Sequence, residues 1–293
     1  MECFKTFRKA PPSQLIMTLL VKNEESMLEE NLLFHKAMGV DSFIITDNNS
    51  TDSTPEIIRK YKQKGWIKEV IEEKATDYEQ KEWVDRMIWK AKTIYKADWI
   101  INADADELWY SPSGNLKTDL SATHANVLNC EMRSVYPEEN QPFWQWDKVV
   151  KPVSEPERYD LSTYSIFERQ NKKVIHRSAG YLQISMGNHK VTMLPQLSTD
   201  SGIRIYHYNI RGKQQFLEKM INGGRQLEQH KADMEVAIGD TSTNYTKKGN
   251  SKRSMTGLSG KKTMMYSITT DLFIRILPYR IFTNKSTKNK LLV

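Results

Sequence analysis

The chain has 293 residues, 39% of them hydrophobic and 27% charged, with a formal net charge of +7. Such a length and balance support a sizeable buried core and exclude a disordered or fibrous chain. Two cysteines, Cys3 and Cys130, argue against a disulfide framework and for a reducing compartment, and the positive charge points to an anionic partner such as a nucleotide, a phospholipid surface or nucleic acid.

Residues 1–14 lack the apolar core of about 7–15 residues that a signal peptide carries, and no apolar run nears the ~20 residues of a membrane span. Leu15–Val21 reads as a first, buried strand. Helical periodicity follows over Glu24–Met38 and stops at Gly39, a C-cap residue. Asp41–Thr46 is the second strand, and Thr54-Pro55 opens a helix with Thr54 as N-cap and proline at the first helical position. Trp66–Ile71 is the third strand, Asp77–Lys96 a long amphipathic helix and Asp98–Ala103 the fourth strand. This alternation predicts an α/β fold: a Rossmann-like, mostly parallel sheet flanked by helices.

The alternation stops after Ser111. Ala125–Tyr136, Lys173–Arg177 and Ile203–Tyr208 are strand-like. Tyr136–Pro156 reads as long loops that wall a substrate. Gln214–His230 is helical, Asp240–Lys262 is polar, and Met264–Phe282 is a mixed helix forming a C-terminal helical extension. The expected division is one domain over 15–235, then a basic loop and the extension over 236–293.

The chemistry concentrates where strands end. The first strand ends in Lys22-Asn23-Glu24-Glu25, the second in Asp47-Asn48-Asn49-Ser50-Thr51-Asp52, and the fourth in Asp104-Ala105-Asp106-Glu107. In an open α/β sheet all three clusters fall on one edge, where ligands bind. Two carboxylates one residue apart, Asp104 and Asp106, can converge on one divalent cation, and hard oxygen ligands suit Mg²⁺ or Mn²⁺. Arg177, closing an apolar strand, is placed to reach a phosphate.

These clusters, with Gly39-Val40-Asp41 and a later His207-Tyr208-Asn209-Ile210-Arg211 stretch followed by Gln215-Phe216 and Lys219, resemble family 2-type glycosyltransferases of the GT-A fold. The nearest likeness is a bacterial subgroup with a strand-end Asp-x-Asp-Glu motif, whose members serve polysaccharide and lipopolysaccharide synthesis. The resemblance covers roughly residues 15–230. It implies a metal-dependent, inverting hexosyltransferase moving a sugar from a nucleotide sugar, foremost a UDP-sugar, to a glycan or lipid-linked glycan.

Carried onto this chain, the resemblance makes Asn23, Glu24, Asp47, Asn49, Asp104 and Arg177 the donor-binding candidates. Asp104 and Asp106, with His189 or His207, become the metal ligands for Mn²⁺ or Mg²⁺. Each has a plainer reading beside it. Asp47 can simply open a turn, Glu24 can be a first-turn acid favoured by the helix dipole, and either histidine can be structural. An inverting transfer needs a carboxylate base. Glu138, Glu139 and Asp147 are the candidates, while Trp144 and Trp146 either stack on a sugar or anchor a core. His35, His124, His176 and His230 read as structural or exposed.

Partners are then a nucleotide-sugar donor and a glycan acceptor, without nucleic acid. The setting is cytoplasmic. Six Lys/Arg without an acid over Lys247–Lys262 add peripheral contact with an anionic membrane at the inner face of the plasma membrane. A haloacid dehalogenase-type phosphohydrolase also carries an Asp-x-Asp after an apolar strand, but normally on its first strand. A non-catalytic carbohydrate- or nucleotide-binding relative would keep the same motifs. The lack of G-x-G-x-x-G argues against a dinucleotide oxidoreductase.

Overall fold

The computed structural model describes residues 13–74, 80–138, 141–152, 166–167, 169–212, 215 and 273–275. They fall into two compact units. The first holds the described residues up to Arg133 together with Gln170–His207; the second holds those of Ser134–Arg169 and Tyr208–Ile276.

In the first unit, β1 (Leu15–Val21), α1 (Leu28–Ala37), β2 (Ser42–Asp47), α2 (Thr54–Gln63), β3 (Ile67–Glu72), α3 (Gln80–Thr93) and β4 (Trp99–Asp104) alternate, as expected. β1 pairs in parallel with β2 and β4, and β2 with β3. Leu15, Ile16, Met17 and Leu19 are all fully buried. A strand covered on both faces reads as an unbroken apolar run, which is why β1 shows no alternation. α3 lays Val84, Met87, Ile88 and Ala91 on Ile16, Ile44 and Ile100 of the sheet.

Two residues lock the opposite edge. Gly39 has φ +94°, and a Cβ there would come within 2.6 Å of Asn115 Oδ1, so conformation and space both require glycine. Asp41 accepts the Leu15 N–H at 2.8 Å and pairs with Lys117 at 2.5 Å, which fixes the start of β1.

Strand direction changes after β4. β5 (Glu107–Tyr110), α4 (Leu116–Ser121), β6 (Val127–Ser134), β7 (Lys148–Val150), β8 (Lys173–Arg177), β9 (Tyr181–Ile184), β10 (Val191–Met193) and β11 (Ser198–His207) follow. The main sheet has the order β3-β2-β1-β4-β8-β6-β11-β5. β8 is antiparallel to both β4 and β6, and β11 is antiparallel to β5. The helix-flanked α/β sheet read from the sequence is thus observed, with antiparallel strands inserted after the alternation stops. β9 and β10 form a separate antiparallel hairpin.

In the second unit, Tyr136–Pro156 is less irregular than expected. Its described residues include the 3-10 turn Phe143–Gln145 and β7. Trp146 is buried, stacks on Tyr208 at 6.2 Å and donates its Nε1–H to Glu138 O and Gln141 O. It is therefore a core anchor. The helix expected over Met264–Phe282 is corrected at β12 (Phe273–Arg275), which pairs antiparallel with β7. An aromatic and a β-branched residue side by side favour a strand when an edge is at hand. The rest of that stretch, the basic residues of Lys247–Lys262, and Gln214–His230 apart from Gln215 lie outside the described residues. Among the described residues no helix is long and apolar enough to cross a membrane.

Candidate active site

The parallel strands deliver their last residues to one edge. In register, Val21 of β1 lies beside Asp47 of β2, and Leu20 beside Asp104 of β4. With strands ~4.8 Å apart, Asp47 and Asp104 stand roughly 10 Å from each other across β1.

The loops after β1 and β2 are stitched into one rim. The Asn23 N–H donates to Ser50 Oγ at 2.9 Å, and Asn23 Oδ1 accepts the Thr51 N–H at 2.8 Å. The Glu24 N–H donates to Thr54 Oγ1 at 2.8 Å, and the Glu25 N–H to Asp52 Oδ2 at 3.0 Å. Glu25 Oε2 accepts the Ser53 N–H at 2.9 Å. Asn23 and Asn49 sit at φ +54° and +51°, a left-handed conformation asparagine tolerates better than most residues. Two readings change here. Thr54 is not the N-cap of α2; Ser53 takes that position without a side-chain cap, because the Thr54 hydroxyl is engaged across the rim. Asp47 does open a turn, accepting the Ser50 N–H at 3.1 Å, but a carboxylate keeps lone pairs for a second donor.

Asp104-Ala105-Asp106-Glu107 is a two-residue turn between β4 and β5. Its backbone is held from below by a residue that sequence reasoning missed. Asn31 of α1, fully buried, donates Nδ2 hydrogens to Ala105 O at 2.9 Å and Glu107 O at 3.0 Å. His35, one turn later, completes the brace. Its Nε2 accepts the Trp109 N–H at 3.0 Å, so Nδ1 carries the proton and donates to Asn31 O and Oδ1, each at 2.9 Å. Burial lowers the His35 pKa from 6.5 to about 3, against the opposing hydrogen bond to Asn31. The ring stays neutral and structural. The signal was an asparagine and a histidine four residues apart on the apolar side of a helix.

The side chains of the turn diverge in their partners. Lys173, the first residue of β8 and 2% exposed, places Nζ 2.8 Å from Asp104 Oδ2 and 2.5 Å from Glu107 Oε1. Glu107 Oε2 accepts the Asp104 N–H at 3.3 Å. Burial alone would pull the Lys173 pKa down, but the two carboxylates raise it above its ordinary value. Burial is also the largest influence on Glu107, and its pKa is raised despite Lys173. Asp106 Oδ2 instead lies 3.5 Å from His207 Nε2, because the antiparallel register sets His207 of β11 opposite Glu107 of β5.

Among the described residues no three His, Cys, Asp or Glu side chains converge as a metal cluster. The Asp106–His207 pair is nevertheless a fitting half-site. An oxygen-plus-imidazole donor set of this kind would suit Mn²⁺ better than Mg²⁺. The His207 Nδ1 is buried without a hydrogen-bond partner among the described residues.

The structure gives Arg177 and His189 partners other than those expected. Arg177 ends β8 opposite Trp99, the first residue of β4. Its guanidinium lies over the Trp99 ring at 4.5 Å, five residues and roughly 16 Å from Asp104 at ~3.3 Å per residue. Because β8 runs antiparallel to β4, its first residue, Lys173, and not Arg177, lies beside Asp104. His189 binds the Lys172 carbonyl through Nδ1 at 3.0 Å and is not grouped with Asp106 and His207 in a cluster. Glu138 belongs to the second unit, where it pairs with Lys148 at 2.8 Å and accepts the Asp147 N–H at 3.3 Å. Asp147 is in the same unit, and Glu139 lies outside the described residues.

Comparison with known proteins adds an independent line. The model of a protein family described as glycosyltransferase family 92 matches residues 17–243. No curated protein sequence matches the chain. Among solved structures, the chain is similar to residues 1–349 of S. aureus TarS in complex with UDP, with 16% identity, covering 56% of this chain and 47% of that one at a TM-score of 0.37. It is also similar to the mannosyltransferase PcManGT from Pyrobaculum calidifontis in complex with GDP-Man and Mn²⁺, with 18% identity, 42% and 37% coverage and a TM-score of 0.34. The chain spans less than half the length of either.

Proposed function

Since the chain belongs to glycosyltransferase family 92, we propose that its strand-end cluster binds a nucleotide sugar, foremost a UDP-sugar, and transfers the sugar with inversion to a glycan or lipid-linked glycan. The observation that carries this reading is the register that sets Asp47, the loop after β1 and Asp104 side by side on three adjacent strands. Asp47 would accept an N–H of the base while its turn holds the carboxylate in place. Asn23 is engaged in the rim, so it supports the binding loop rather than contacting the base directly.

Asp106 and His207 would hold a divalent cation, foremost Mn²⁺, which when bound neutralises charge gathering on the departing nucleoside diphosphate. Asn31 and His35 keep the turn rigid, so Asp106 is presented without a reorganisation cost. Glu138, Glu139 and Asp147 remain the candidates for the carboxylate that takes the acceptor proton. A GT-A classification accords with the family and the α/β sheet. The phosphohydrolase alternative is disfavoured because β1 ends in Val21-Lys22, without an acid.

A panel of nucleotide sugars tests the proposal directly. Thermal stabilisation and release of free sugar are measured with and without Mn²⁺. A UDP-sugar should stabilise the chain by several degrees only when Mn²⁺ is present, and slow hydrolysis should accompany it. If no nucleotide sugar stabilises the chain or loses its sugar with any divalent cation, the proposal fails.

A further inference from the structure

We infer that Tyr110, Tyr206, Arg133 and Arg204 form an acceptor subsite on the solvent-facing side of the antiparallel strands, and that it takes a sugar carrying a carboxylate or a phosphate. The inference rests on the proposed transfer to a glycan and states the chemical class of that glycan. An antiparallel sheet with one wet face alternates buried and exposed residues along each strand. In β6, Cys130 and Met132 are buried while Glu131 and Arg133 are partly exposed. In β11, Ile203 and Ile205 are buried while Arg204 and Tyr206 are partly exposed. Arg204 lies opposite Tyr110 of β5 in the ladder, so Tyr110 shares its face. The Tyr110 and Tyr206 rings stand 6.1 Å apart, tilted by 43°. β6 is antiparallel to β8 and β8 to β4, so β6 runs with β4 and brings Arg133 toward the edge that holds Asp104. Tyr206 comes to the same edge, next in the chain to His207.

The charges of this face do not cancel. Glu131 Oε1 accepts from Arg133 Nη2 at 2.8 Å, and its Oε2 lies 3.3 Å from Arg204 Nε, so one carboxylate answers two guanidiniums. Asp200, further back along β11, is paired with Lys172 at 2.8 Å. Arg204 Nη1 donates to Ser201 O at 3.1 Å, which holds that side chain in place. Among the described residues, Arg133 Nε and Nη1 and Arg204 Nη2 are left as donors. A guanidinium grips carboxylate or phosphate oxygens as a fork. The hydroxyls of Tyr110 and Tyr206 likewise have no hydrogen-bond partner among the described residues. Burial, foremost, and Tyr110 raise the Tyr206 pKa against Arg133 and Arg204, so that phenol keeps its proton to donate. A tyrosine joins an apolar ring to a polar tip, which matches the C–H face and hydroxyl rim of a pyranose. Two such rings beside an excess of guanidinium suit an acidic sugar.

The test follows binding of methyl glucuronide, glucose 6-phosphate, methyl glucoside and inorganic phosphate to the full chain by ligand-observed nuclear magnetic resonance. UDP and Mn²⁺ are added in a second series to fill the donor site. At least one acidic sugar should bind tenfold tighter than the glucoside and tighter than inorganic phosphate. It should keep its affinity beside UDP and weaken as salt rises. The tighter of the two names the acid. Arg204→Met and Tyr206→Ala should each weaken that binding at least tenfold. Tyr206→Phe should weaken it two- to fivefold at an unchanged melting temperature, which a merely structural hydroxyl would not do. Arg177→Met, at the opposite edge, should change nothing. The inference is overturned if neither acidic sugar binds, if the glucoside or inorganic phosphate binds as tightly, or if UDP displaces the acidic sugar. Full affinity in the Tyr206→Phe, Arg204→Met double variant overturns it as well. UDP binding is read in the same samples, so each of these outcomes leaves the donor reading standing. Acidic-sugar binding without any nucleotide binding removes the proposed transfer and leaves the subsite.

Discussion

The two halves of the sheet supply the site in opposite ways. In the parallel half, β1, β2 and β4 all run toward the same edge, so each contributes the residues at its C-terminal end: the Asn23 loop, Asp47 and Asp104. In the antiparallel half, β8 runs the other way and contributes its first residue, Lys173, while β11 contributes its last, His207. The parallel half therefore places acids and loops at that edge, and the antiparallel half adds a buried lysine beside Asp104 and Glu107 and an imidazole beside Asp106. Strand direction, more than residue type, decides which side chains the site can use.

The comparison breaks most decisively at the turn where the halves meet. Asp106→Asn should leave the fold intact and lower metal-dependent transfer by ~10³-fold or more, since it removes the carboxylate on which cation binding rests. Initial rates at saturating Mn²⁺ check this; a variant within threefold of the native rate removes Asp106 from the site. Asp47→Ala, in the parallel half alone, should weaken donor binding about tenfold with little change in kcat, the pattern of a group that holds ground and transition states equally. Calorimetric titration with the donor decides it, and unchanged affinity would assign Asp47 to its turn with Ser50 only.

Most of the parallel half was legible in the sequence, because continuous apolar runs and the helices between them specify direction as well as element type. Asp47, Asp104 and Asp106 could be placed at the strand ends of one sheet edge for that reason. The antiparallel half gave no such guide. Lys173–Arg177 was recognisable as a strand, but nothing local says which way it runs, so Arg177 was singled out and Lys173 was not. Asn31 was hidden because one asparagine in an amphipathic helix looks like an ordinary polar residue until its two carbonyl partners are known. β9 and β10 escaped because Val191-Thr192-Met193 is too short for a periodicity. The Phe273–Arg275 strand is set by its pairing with β7, which local propensity cannot anticipate.

Buried histidines on both sides of the sheet sharpen the comparison through pH. His176 of β8 has Nε2 3.1 Å from Asn102 Nδ2 of β4, while its Nδ1 donates to Arg177 O at 2.9 Å. Burial lowers its pKa from 6.5 to about 4, the hydrogen bond to Arg177 opposing, and His35 is lowered to about 3. Both are neutral when folded but take up a proton near 6.5 when unfolded. The unfolded state therefore binds more protons below that value, and stability is full above 6.5 and lost as pH falls toward the folded values. Each histidine contributes a slope of up to about 1.4 kcal/mol per pH unit. Urea unfolding at pH 7, 6 and 5 should show the midpoint falling, and His176→Gln should flatten the trend. Equal midpoints at pH 7 and 5 would show that neither ring is buried neutral.

The smallest expected effect tests strand direction itself. Arg177 is the residue a parallel β8 would have brought to the diphosphate, and the antiparallel β8 places it against Trp99 at the opposite edge. Arg177→Met should therefore leave donor affinity and kcat within twofold. Its one measurable cost is the lost stacking on Trp99, about 0.5–1 kcal/mol for a partly exposed cation–π contact. Methionine retains much of the aliphatic packing, so the charge is the main thing removed. Donor titration and urea unfolding of the same preparation separate the two effects. A tenfold loss of donor affinity with unchanged stability would mean that the guanidinium serves the nucleotide, and the polarity argument for Lys173 would lose its structural basis.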